Sequence, residues 1–143
     1  MNDHTVDLLK ECDSGVKTAV NSIKEVLDNI NSQSLRELLT DSLTCHESLG
    51  NEIHEMLSEL GEKGKDPNPM AKSMSWVKTN VKLAMNESDA TIADLMTDGC
   101  NMGVKSLSQY LNQYQAADEA SKDIAKRLIH IEEQLANELR QFL

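Results

Sequence analysis

The sequence predicts an all-α fold: a bundle of four long helices arranged as two repeated helical hairpins joined by a long crossover. Three observations point there. Apolar side chains recur at alternating steps of three and four along most of the 143 residues, the spacing that keeps them on one helix face. The second half repeats the first: Cys12-Asp-Ser-Gly-Val-Lys17 returns as Cys100-Asn-Met-Gly-Val-Lys105 at an offset of 88, and His46-Glu-Ser-Leu-Gly-Asn-Glu-Ile-His-Glu-Met-Leu57 returns as Glu132-Glu-Gln-Leu-Ala-Asn-Glu-Leu-Arg-Gln-Phe-Leu143 at 86. Two matches in one order at nearly one offset mark a doubled hairpin; the competing account is chance similarity between two Leu/Glu-rich stretches. Finally, a Gly/Pro-rich break separates the halves.

In the first helix Val6, Leu9, Asp13, Val16, Val20, Ile23, Leu27 and Ile30 form the seam, with Asp13 its one charged member. The second helix opens with Ser34-Leu-Arg-Glu37, read as a capping box, and stops near Gly61. Its seam reads Leu38, Ser42, Cys45, Leu49, Ile53, Met56. The break Gly61-Glu-Lys-Gly-Lys-Asp-Pro-Asn-Pro69 follows, then Met70, Met74, Val77, Val81 and Met85 mark a shorter amphipathic helix started by Pro69. The third long helix begins after Asn86-Glu-Ser-Asp89 with Ser88 as its expected cap, and carries Met96, Gly103, Leu107, Tyr110 and Tyr114. The last carries Ile124, Leu128, Ile131, Leu135, Leu139 and Phe142, the same steps as the second. For the first and third helices the identities favour an offset of 88 and the apolar stripes 87, so that register stays open.

The chain therefore reads as one domain, 1–143, with a first hairpin at 1–61, a crossover with a short helix at 62–87 and a second hairpin at 88–143. About 27 residues of crossover suffice to travel back along helices about 40 Å long. Two hairpins joined by one long crossover is the ferritin-like connectivity, as distinct from a simple up-down-up-down bundle. Leu8-Leu-Lys-Glu-Cys-Asp-Ser-Gly15, Trp76-Val-Lys-Thr-Asn-Val-Lys-Leu83 and Gly103-Val-Lys-Ser-Leu-Ser-Gln-Tyr110 resemble a family of short bacterial ferritin-like four-helix-bundle proteins of unknown function, and the likeness runs over nearly the whole chain. The resemblance implies the fold, a bacterial cytoplasmic setting and self-association, and brings no activity with it.

Composition narrows the function classes. With 24 acidic and 14 basic side chains the net charge is −10, which repels phosphate backbones and anionic lipid, so neither nucleic acid nor membrane is an expected partner. No apolar run approaches the roughly 18 residues of a membrane span, and the start, Met-Asn-Asp-His, lacks the regions of an export signal; a cytoplasmic location is expected. Cys12, Cys45 and Cys100, odd in number and widely spaced, read as reduced, small core residues.

Ferritin-like enzymes place a Glu-x-x-His on each of two helices so that carboxylates and imidazoles share one core layer. That motif is missing: Glu47 is followed three residues on by Gly50, Glu52 by Glu55, Glu132 by Leu135 and Glu133 by Ala136. The remaining candidate metal ligands are Asp13, His46, Asp98, Glu132 and Glu133. As partners in the repeat, His46 and Glu132 could face each other across the bundle. Beside that reading stand plainer ones, in which Asp13 is a hydrogen-bonded seam residue that fixes register, His46 a partly exposed flank histidine, and Glu47, Glu132 and Glu133 a solvated helix face. No Gly-rich phosphate loop, H-E-x-x-H or nucleophile elbow is present, and Cys45 beside His46 points about 100° away from it, so no catalytic residues are assigned.

Two functional readings follow. The first is a non-enzymatic ferritin-like bundle that needs no cofactor and acts through protein association, as a homo-oligomer or through a protein partner on the helix between Met70 and Met85, with Trp76 beside it. The second is a degenerate metalloprotein holding iron, manganese or zinc through the five candidate ligands.

Overall fold

The structure, a computed structural model, describes residues 3–65 and 88–143. These form four α-helices: α1 Asp3–Leu27, α2 Gln33–Glu59, α3 Ser88–Gln113 and α4 Glu119–Leu139, ending in a 3-10 turn at Arg140–Phe142. The short amphipathic helix expected around Met70 to Met85 lies outside the described residues.

Helix ends explain the turns. The α1–α2 turn is held by Arg36, whose guanidinium donates to the carbonyls of Leu27 and Ile30 (3.2 and 2.6 Å) and so satisfies the exposed end of α1. The cap of α2 is Ser32, not the expected Ser34: its backbone is extended and its hydroxyl accepts from Leu35 N at 3.3 Å. Asp89 of α3 decides this start, because its carboxylate accepts from the amides of Asn31 and Ser32 (2.9 and 2.8 Å) and holds the turn open ahead of position 34. At the other end, α2 closes with Gly61 at φ 71°. There Glu62 N donates to Leu57 O and Gly61 N to Ser58 O (2.9 and 3.0 Å), the paired bonds of a left-handed glycine stop. In α4 the Asp118 carboxylate accepts from Ser121 N at 2.8 Å.

The same contacts set direction. The α1–α2 turn meets the start of α3 through Asp89, while the start of α1 meets the α3–α4 turn, where His4 Nδ1 accepts from Ala116 N and Thr5 Oγ1 from Asp118 N. Thus α1 runs antiparallel to both α2 and α3, and the chain between α2 and α3 joins opposite ends of the bundle. Its first residues return along α1. Lys10 pairs with Glu62 and Glu11 with Lys65, while Asp13 accepts from Lys65 N at 2.8 Å and Lys17 donates to Lys65 O at 3.1 Å.

The core is in two parts. One, near the α1–α2 turn, gathers Ile23, Val26, Leu35, Leu39, Ile92 and Leu139. The other, towards the opposite end, gathers Leu8, Leu9, Leu49, Ile53, Leu57 and Leu128. Burying these side chains contributes about 1.5–3 kcal/mol each, offset by the conformational entropy lost on ordering them. Between the two parts lies a polar layer.

The buried stripe of α2 differs from the expected seam: it runs Leu35, Leu39, Ser42, His46, Leu49, Ile53, Leu57, so His46 replaces Cys45, and Leu39 and Leu57 replace Leu38 and Met56. Cys45 is exposed, correcting its reading as a core residue, whereas Cys12 and Cys100 are buried and all three are free. In α4 the expected Ile124, Leu128, Leu135 and Leu139 are buried, and only one position changes, with Glu132 inside in place of Ile131.

Candidate functional site

The polar layer is built by His46 of α2 and Glu132 of α4, 86 positions apart, whose Nε2 and Oε1 atoms meet directly. His46 is fully buried and Glu132 is 7% exposed, which corrects the flank and solvated-face readings of these two. One turn upstream, the Ser42 carbonyl lies 2.7 Å from His46 Nδ1. A carbonyl only accepts, so Nδ1 carries a hydrogen; Nε2, facing a carboxylate, carries the other. Burial opposes that imidazolium, but the hydrogen bond and charge of Glu132 together with the Ser42 carbonyl outweigh it, and the His46 pKa lies above its ordinary 6.5.

Cys100 of α3 approaches the same carboxylate. Burial first, then the charge and hydrogen-bonding influence of Glu132, push its thiol well above the usual range, so it keeps its proton and is not a nucleophile. Burial likewise raises Cys12, to about 12, with help from Glu11 and Asp13.

The pair does not face a closed core. A slot of about 90 Å³, not enclosed on its outer side by the described residues, runs between α1 and α3 and reaches His46 and Glu132. It spans α1 from Glu11 to Ile23, about 18 Å at the helical rise. Small side chains keep it open: Gly15, Ala19 and Ser22 on α1 and Gly99, Gly103 and Ser106 on α3 all line it, and on each helix they follow steps of four and three, the spacing of one face. Where a side chain at Gly103 would begin, the nearest atom is Glu132 Oε2, at 3.5 Å. Leu107, Leu128, Leu135 and Met96 supply apolar wall. At one end stand Tyr110 and Glu11, and burial together with Glu11 raises the Tyr110 phenol above its usual range.

No protein-family model, curated protein or solved structure matches the chain. The reading of this site therefore stands on its own geometry.

Of the five candidate ligands, the structure brings together two, His46 and Glu132. Asp13 is buried at 1% exposure but turns towards the start of the crossover, where Lys17 Nζ (2.8 Å), His54 Nε2 (3.2 Å) and Lys65 N surround it. Asp98 and Glu133 are exposed. Among the described residues no three His, Cys, Asp or Glu side chains converge where a metal ion would sit, so this donor set does not fit the di-metal centre of a ferritin-like enzyme. No described helix is long and apolar enough to cross a membrane.

Sequence reasoning missed Cys100 as a neighbour of Glu132, and it missed the slot. A signal for the slot was present in the matched small residues at 15, 19, 22 and 99, 103, 106, which an apolar-seam search passes over.

Proposed function

We propose that this chain is a non-enzymatic helical bundle of ferritin-like connectivity whose role is to bind a ligand between α1 and α3. The observation that carries this reading is the slot itself: two helices carry small residues in matched register, and the opening between them ends on a buried charged pair. Cores normally fill such space, because each missing methylene forfeits packing energy. A buried ion pair is also a weak source of stability compared with apolar side chains of similar volume. Both features cost stability, and an occupant of the slot offsets both.

The chemistry at the floor supports binding over catalysis. His46 and Glu132 neutralise each other, Cys100 holds its proton, and the Ser42 hydroxyl, 3.3 Å from His46 Nδ1, meets a nitrogen whose hydrogen already serves the Ser42 carbonyl. The connectivity across residues 66–87, joining opposite ends of the bundle, supports the ferritin-like assignment.

The test is a fragment screen by ligand-observed NMR. Ligands that bind the wild-type protein and are displaced by Ala19→Leu, which fills the slot from the α1 side, are the expected result. A screen without hits, together with a simple gain in stability for Ala19→Leu, would mark the slot as a packing defect and remove the proposal.

A further inference from the structure

Resting on that reading, we infer that the slot takes a small neutral molecule with an apolar body of about one ring and a single hydroxyl, which donates to Glu132. Glu132 has two oxygens with different duties. Oε1 is committed to His46, whereas Oε2 is the atom nearest the space that the missing Gly103 side chain leaves open. A carboxylate oxygen offers lone pairs and no hydrogen, so this polar atom of the slot is an acceptor. The ligand must bring a donor.

Charge narrows the class further. An anion would meet Glu132 in a desolvated setting, in a chain of net charge −10. A cation would bring a second positive charge to a carboxylate that the His46 imidazolium already neutralises. Each pays desolvation with no uncommitted partner. The hydroxyls of Ser14, Thr18, Ser22 and Ser106 also line the α1 and α3 walls, while Leu107, Leu128, Leu135 and Met96 supply apolar surface for the body of the ligand. A hydroxyl needs only the acceptor that is present. The volume of about 90 Å³ is smaller than the roughly 150 Å³ apolar cavity that holds benzene, and the outer side, not enclosed by the described residues, gives one ring room to protrude.

The experiment titrates the full-length protein with phenol, toluene, benzoate and benzylammonium, following backbone amide resonances. Phenol and toluene differ in little but the hydroxyl. The expected result is shifts centred on Cys100 and Gly103, with phenol bound at least about tenfold more tightly than toluene and more tightly than either ion. Ala19→Leu should abolish binding, and the paired variant His46→Leu with Glu132→Leu, checked for folding by circular dichroism, should erase the preference for phenol over toluene. Equal binding of phenol and toluene, or preference for an ion, overturns the hydroxyl inference while leaving slot binding intact. Absence of shifts with all four overturns both, as do nuclear Overhauser contacts in the ligand-free protein showing the slot already filled by the chain's own residues between Met70 and Met85.

Discussion

His46 Nε2 on α2 meets Glu132 Oε1 on α4 at the centre of the bundle, and the two residues stand 86 positions apart in the sequence. The pair sits between two apolar clusters, so each half supplies one charge to a layer that neither could bury alone. Removing one partner leaves the other buried and uncompensated. Glu132→Leu alone and His46→Leu alone are each expected to destabilise by about 3–5 kcal/mol, while the paired leucine variant should be neutral or more stable by about 1–4 kcal/mol. Urea denaturation of the three variants measures this; additive losses in the paired variant would show that the two side chains act separately.

The pair also makes stability depend on pH. Because the folded-state pKa of His46 is raised above 6.5 by Glu132 and the Ser42 carbonyl against the opposing effect of burial, the folded chain holds this proton more tightly than the unfolded one. Its stabilisation is complete below about pH 6.5 and is lost as the pH rises through the higher folded value. Unfolding midpoints should therefore fall as the pH rises above about 6.5 in the wild type and fall less in the paired leucine variant. A His46 ring resonance that titrates at or below the ordinary value would contradict the assignment.

Asp13 fastens the beginning of the crossover to α1. Its carboxylate accepts from Lys65 N and pairs with Lys17 and His54. Asp13→Ala leaves the Lys65 amide without its acceptor and should cost about 1–3 kcal/mol, with hydrogen exchange at Lys65 accelerating more than at core amides such as Leu9 or Ile53. Unchanged exchange at Lys65 would show that Lys10–Glu62 and Glu11–Lys65 hold the segment without it.

The four long helices and their order were legible in the sequence because apolar residues at steps of three and four share a face only on a helix, and the long break between the second and third leaves enough chain to change ends. The central layer was legible only in part. Periodicity pairs His46 with Glu132 through the repeat, yet an apolar seam search prefers Cys45 and Ile131 at those turns, because it cannot see that two charges neutralise each other across the core. Asp13 reads as a seam residue and is buried as one, but its partners, Lys65 above all, depend on where the crossover returns, which local spacing does not encode. The start of α2 was displaced for a similar reason: Asp89, distant in sequence, selects Ser32 over Ser34.

Two glycines should respond oppositely to one methyl group. Gly64 lies against Asp13, and a Cβ built there overlaps the Oδ2 atom and approaches Lys17 Nζ at 3.3 Å. Asp13 cannot yield freely, since Lys17, His54 and Lys65 N hold its carboxylate from three directions. Gly64→Ala should therefore destabilise by about 1–3 kcal/mol. Gly99 lies inside α3 with nothing within 4 Å of an added Cβ, so Gly99→Ala meets no clash and gains helix propensity worth about 1 kcal/mol. Thermal and urea unfolding of the two variants should move in opposite directions. A loss of stability for Gly99→Ala would mean that another part of the chain or a bound molecule already occupies the α3 wall of the slot, whereas an unchanged Gly64→Ala would detach the Asp13 carboxylate from the crossover.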